Sequence, residues 1–156
     1  MPRVRQGENL MGYGSKDLND RRDEALKIAV DHGFSDATVG EDVALICSEA
    51  AELLEDHRDG HAPTRIWYEE KRPAFDEGGD PLMVDGKHAS VVVRHDRQIH
   101  VEGKPKYKPC GIPSEVADII IRCLHFSGKH GIDIEAIVRD KLAYNETREF
   151  RHGKVL

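Results

Sequence analysis

The segment that most constrains this chain is residues 114–129, SEVADIIIRCLHFSGK. Drawn as a helix, Val116, Ala117, Ile119, Ile120, Ile121, Cys123, Leu124 and Phe126 cover most of its circumference. A helix that apolar is expected to sit centrally, packed on several sides. One narrow stripe is polar: Glu115, Asp118, Arg122 and His125, at steps of three and four residues. Taken by itself, the stripe reads as the solvent-facing edge, with Asp118 and Arg122 as an i,i+4 pair.

The flanking sequence supplies partners for such a helix. A first helix is expected over about residues 16–32, where Leu18, Ala25, Ile28 and Ala29 recur at roughly helical spacing and Gly33 ends the run. A second is expected over about 41–59, EDVALICSEAAELLEDHRD, which holds no Gly or Pro and stops at Gly60. Pro113 suits the first turn of the third helix, about 113–129, which ends near Gly131. Asp133 is a good N-cap for a fourth over about 134–150. Residues 1–16, with Gly7, Gly12 and Gly14, read as an arm or loop.

Residues 61–111 differ in character. They hold most of the prolines, and two short stretches, 89–93 and 98–101, look extended. These read as the arms of one small β-hairpin. The expectation is a single domain over 1–156: an all-α four-helix bundle, core helices at about 17–60 and 112–150, with a Pro-rich insertion between helices two and three.

The formal net charge of −6 argues against a general nucleic-acid coat, which needs a basic face to displace counterions. A phosphate substrate stays open, because metal ions supply positive charge. Cys47, Cys110 and Cys123 are widely spaced and odd in number, which fits neither a disulfide framework nor a zinc finger. They point to a reducing, cytoplasmic compartment. No signal-like or membrane-spanning apolar run is found, so no membrane partner is expected.

The second helix carries Glu49 and Glu52 beside its apolar stripe of Val43, Ile46, Cys47, Ala50 and Leu54. The two glutamates lie about 60° apart on an ideal helix. An isolated Glu-x-x-Glu is usually solvated and carries almost no signal. Two helices that each offer a carboxylate pair are more informative. Facing each other, Glu49/Glu52 and Glu115/Asp118 make a cluster of negative charge that hard cations such as Mg²⁺ or Mn²⁺ relieve. A di-iron bundle would need Glu-x-x-His motifs on two helices. The only such motif on an expected helix is Glu149/His152, at the frayed end of the fourth. Lys141, Asn145 and Arg148 fall on one face of that fourth helix and suit phosphate oxygens, although they also read as an ordinary solvated face. His88, His95 and His100 match no zinc spacing and read as surface histidines, while His125 extends the acidic stripe by one turn.

The order of these motifs carries a family resemblance. Glu49-Ala-Ala-Glu52, Glu115-Val-Ala-Asp118, Gly131-Ile-Asp-Ile-Glu135 and Lys141-Leu-Ala-Tyr-Asn145-Glu-Thr-Arg148 resemble the MazG-like, all-α nucleoside triphosphate pyrophosphohydrolases over about residues 17–60 and 112–150. The resemblance implies a homodimer or homotetramer that hydrolyses an NTP or dNTP to the monophosphate and pyrophosphate. It implies Mg²⁺ or Mn²⁺ bound by Glu49, Glu52, Glu115 and Asp118. Glu49 and Glu52 become the catalytic candidates that help deprotonate a water, and Lys141, Asn145 and Arg148 the phosphate-binding ones. Phage relatives of the MazZ type make (d)GTP a candidate substrate, in a bacterial or phage-infected cytoplasm. The chain departs from the family at residues 61–111, where a short loop is usual. Two other readings remain: a catalytically silent helical binding or assembly module, and a hydrolase of nucleoside diphosphates or alarmones.

Overall fold

A computed structural model describes residues 16–34 and 36–149. Its helices are α1 (Leu18–Asp31), α2 (Val39–Arg58), α3 (Ile112–Lys129) and α4 (Ile134–Glu146). Between α2 and α3 run β1 (Trp67–Pro73), β2 (Met83–Val84), β3 (Lys87–His88), β4 (Ser90–His95), β5 (His100–Val101), β6 (Lys104–Pro105) and β7 (Lys108–Cys110). The all-α expectation is therefore corrected: the described chain carries four helices and three small antiparallel sheets. No helix among the described residues is long and apolar enough to cross a membrane. The chain divides into two compact units, one of residues 1–42 and 121–156, the other of 43–120, so that α2 and α3 each run through a boundary.

In the first unit, two caps set the helix starts. Asp17 accepts from the Asp20 amide while the Asp20 carboxylate accepts from the Asp17 amide, a capping box that opens α1. Thr38 and Glu41 form the same device for α2: the Glu41 carboxylate accepts from the Thr38 amide at 2.7 Å, and the Glu41 amide donates back to Thr38 Oγ1 at 3.3 Å. This box starts α2 at Val39, ahead of the position expected from periodicity. α1 and α4 are tied by polar bonds. Asn19 Nδ2 donates to Asp133 Oδ1 at 2.9 Å, and the Leu18 amide donates to Glu135 Oε2 at 3.3 Å. Arg22 Nη1 donates to the Ile132 carbonyl at 2.7 Å. Asp133 caps α4 as expected, its side chain accepting from the Ala136 amide. Thr147 ends that helix with its hydroxyl donating to the Tyr144 carbonyl, so α4 stops at Glu146 rather than near 150. Phe150, the Glu149/His152 motif's histidine and residues 1–15 of the N-terminal arm lie outside the described residues.

The second unit is organised by β1, the middle strand of the order β4-β1-β7. β4 pairs with β1 from Tyr68↔His95 to Pro73↔Ser90, and β7 pairs with β1 from Trp67↔Cys110 to Glu69↔Lys108. Residues 89–93 and 98–101 are thus not the two arms of one hairpin. The first stretch belongs to the β1 ladder, and the second folds back on Lys104–Pro105. The two tight hairpins are β2–β3 and β5–β6. Their turns place Asp85-Gly86 and Glu102-Gly103 at positive φ (50° and 74°, 50° and 77°), the backbone of a type I′ turn. Trp67, Ala74, Tyr107, Cys110 and Ile112 are the buried apolar residues here. His95 stacks on Tyr107 with ring centres 4.1 Å apart, and Gln98 bonds both the amide and the carbonyl of Tyr107, in the manner of a neighbouring strand.

One buried ion pair holds the first unit where α2 begins and α3 ends. Lys129 Nζ lies 2.9 Å from Asp42 Oδ2 and also donates to the Ala37 carbonyl. Asp42 is 5% exposed, so removing its partner leaves a buried charge. Lys129→Met is expected to lower the unfolding free energy by about 3 kcal/mol, read by urea denaturation.

Candidate metal centre

α3 buries the side that composition alone would leave in water. Val116, Ile120 and Ile121 are about half exposed, whereas Ser114, Glu115 and His125 are buried and Asp118 and Arg122 half-buried. The polar stripe is not a solvated edge. At its start, the Gly111 carbonyl accepts from the amides of Ser114 (2.7 Å) and Glu115 (3.2 Å), and Ser114 Oγ donates to the Pro109 carbonyl at 3.0 Å. The first turn of α3 is thereby bound to the end of β7, which fixes where Glu115 points from.

Glu49 from α2 and Glu115 and Asp118 from α3 each offer a carboxylate oxygen, and these oxygens lie within 4.8 Å of one another. All three belong to the unit of residues 43–120. The carboxyl of Glu115 is pushed above the usual carboxylate range. Burial is the largest cause, followed by the charges of Glu52 and Asp118; Lys108 opposes the shift and Asp56 adds to it. Burial and three anions raise the same group, and a bound cation would relieve that repulsion. The donor set fits a hard divalent ion: three oxygens, no sulfur and no imidazole. Opposite ligands of an ion bound at about 2.1 Å stand about 4.2 Å apart, a spacing close to the spread of these three oxygens.

Of the four carboxylates expected from sequence, three converge in this way. Glu52, exposed on α2, stands outside the trio, yet its charge is felt at Glu115. Asp56 and Lys108 were not singled out by sequence. Asp56 continues the Glu49/Glu52 row by one more turn and lies 3.3 Å from His61 Nδ1, so its spacing was a usable signal. Lys108 had none, because the β7 register that brings it near depends on pairing with β1.

Lys141 and Asn145 lie on α4, while Arg148 falls just past its C-cap, so the three do not share one helix as expected. All three are exposed. Lys141 and Arg148 both lie near the Tyr144 ring, at 5.8 and 6.0 Å from its centre, which gathers two cations around one aromatic side chain. His125 is buried, and its Nε2 has no hydrogen-bond partner among the described residues. No metal-competent cluster among the described residues includes His88, His95 or His100. Cys110, beside the site, has its thiol pushed up to about 11 by burial and by the charge of Glu69, which makes it a packed residue rather than a nucleophile at neutral pH. Compared with protein-family models, curated proteins and solved structures, the chain matches none.

The raised pKa of Glu115 sets a direction for pH. The native chain holds a proton there over a range in which the unfolded chain has lost it, so without metal the contribution of Glu115 to stability falls as pH rises from the ordinary glutamate value through the raised one. A cation competes with that proton. Mn²⁺ affinity is expected to rise with pH across the same window and to release protons on uptake, read by calorimetry in buffers of different ionisation enthalpy. In Glu115→Gln the pH dependence is expected to flatten and the affinity to drop at least tenfold.

Proposed function

We propose that the chain is a metal-dependent nucleoside triphosphate pyrophosphohydrolase, cleaving an NTP or dNTP to the monophosphate and pyrophosphate. The observation that carries this reading is the convergence of Glu49, Glu115 and Asp118 on the half-buried polar side of α3. The motif order shared with the MazG-like enzymes adds to it. Mg²⁺ or Mn²⁺ would be held by Glu49, Glu115 and Asp118, with Glu52 beside them, and when bound would neutralise phosphate charge and act as a Lewis acid. Glu52, outside the trio, is placed by this reading to accept the proton of the attacking water, with Glu49 sharing the work of orienting it. Water oxygen bonds to a phosphorus of the α–β bridge, the bridging P–O bond breaks, and the departing phosphate takes the electron pair. Lys141, Asn145 and Arg148 are the candidates to hold phosphate oxygens. (d)GTP is a candidate substrate on the strength of the MazZ-type resemblance.

The same reading takes the chain to be a homodimer or homotetramer acting in a bacterial or phage-infected cytoplasm. The half-exposed Val116, Ile120 and Ile121 of α3 support self-association, since an apolar helix face of this kind is ordinarily covered. Cys47, Cys110 and Cys123, all free, suit a reducing compartment. Sedimentation is expected to give a dimer or tetramer for the parent and a smaller species for Ile120→Glu; a monomeric parent removes this part of the proposal.

The decisive assay is a panel of NTPs and dNTPs with Mg²⁺ or Mn²⁺, with the products identified. Pyrophosphate and a monophosphate are expected. Glu49→Gln and Asp118→Asn are each expected to lower kcat at least 100-fold, the scale of losing about 3 kcal/mol of transition-state stabilisation. Parent-like turnover in both variants removes the metal assignment. Orthophosphate as product points instead to a related nucleotide phosphatase.

A further inference from the structure

The insertion of residues 61–111 joins the first turn of α3 at a tightly packed glycine. Gly111, immediately before α3, has φ of 99°, in the region that favours glycine. A Cβ added there would lie 2.6 Å from the Arg65 carbonyl oxygen and 2.7 and 3.1 Å from Cζ3 and Cε3 of Trp67. That space belongs to backbone and to a ring that cannot swing away. Trp67 is 6% exposed and the chain's single tryptophan. Its Nε1 donates to Glu69 Oε1 at 2.9 Å, the Arg94 guanidinium covers its ring at 5.0 Å while donating to the same carboxylate, and the His61 ring packs against it at 4.5 Å. The ladder partner of Trp67 is Cys110, the residue before Gly111.

The other side of Gly111 faces the helix. Its carbonyl accepts from the Glu115 amide, so one peptide unit separates the Trp67 contact from the hydrogen bond that fixes Glu115. We infer that Trp67 and Gly111 form a positioning clamp through which the insertion's central strand sets the first turn of α3 and aims Glu115 at Glu49 and Asp118. Neither residue belongs to the carboxylate trio. Both act through the backbone of α3. On this account the insertion is a bracket that preorganises the site, and the inference rests on the metal-centre reading proposed above.

The test uses the full chain and Mn²⁺ alone, without nucleotide, and two readouts. Calorimetry gives Mn²⁺ affinity, and amide hydrogen exchange gives the protection of residues 112–118. Gly111→Ala is expected to weaken Mn²⁺ at least tenfold and to speed exchange in that turn. Trp67→Phe, which keeps a ring in the slot but loses the bond to Glu69, is expected to weaken Mn²⁺ about threefold. Lys129→Met, destabilising but remote from the clamp in sequence and fold unit, is expected to keep parent affinity, which separates positioning from general loss of stability. If both clamp variants keep parent affinity and parent exchange, the clamp is overturned. If the parent takes up no Mn²⁺, the hydrolase reading fails, and exchange still decides the clamp: unchanged protection at residues 112–118 in Gly111→Ala overturns it, and lost protection retains it.

Discussion

Carboxylates repel one another, and burial sharpens the repulsion because water no longer screens it. Glu115 is 7% exposed, within reach of Glu49 and Asp118 and under the field of Glu52 and Asp56. The arrangement persists in the fold because the backbone around it is held from several directions. α2 carries one wall. The Gly111 carbonyl and the Ser114–Pro109 bond hold the start of α3, and β7 is laddered to β1 behind them. The result is a group of carboxylates held close together, with the Glu115 carboxyl pushed above its usual range. Such concentrations are common where a cation or a proton is meant to relieve them, and Lys108 is one cation whose charge the chain brings to bear on Glu115.

The helical half of this architecture was legible in the sequence. Periodicity, Asp133 as a cap and the Gly33 and Gly60 stops are local signals, and the helices form close to where those signals put them. The misses have physical causes. Thr38 and Glu41 start α2 early through a side-chain to backbone box, and Thr147 stops α4 before Arg148. In the insertion, the closeness in sequence of 89–93 and 98–101 suggests that they pair with each other, and they do not. The Asp85-Gly86 and Glu102-Gly103 turns show that the true hairpins are shorter and local, while β4 reaches back to β1 past the β2–β3 hairpin. Register of that kind depends on which faces become buried, and alternation in a half-exposed strand such as β4 specifies it weakly. The all-α expectation failed for the same reason.

The candidate site was partly legible. Spacing by three and four residues picked out Glu49, Glu115 and Asp118, because helical geometry makes those steps neighbours. Spacing could not tell that the polar stripe of α3 faces inward while Val116, Ile120 and Ile121 stay half exposed. That inversion follows from tertiary packing, and it converts an ordinary charged edge into a buried one. Lys108 and the Trp67–Gly111 contact were invisible for a similar reason: each depends on the β1–β7 ladder. The insertion, which interrupts the helical pattern in the sequence, is the element that seats one of the carboxylates.

On the proposed reading, Glu49, Glu115 and Asp118 hold one hard divalent ion. Crystals grown with Mn²⁺ and measured near the manganese edge decide whether they do. The account predicts an anomalous peak bonded to oxygens of all three carboxylates at about 2.1–2.2 Å, lost in Asp118→Asn. A chain crystallised at neutral pH with excess Mn²⁺ and no peak at these residues, or one bound only elsewhere, would contradict it.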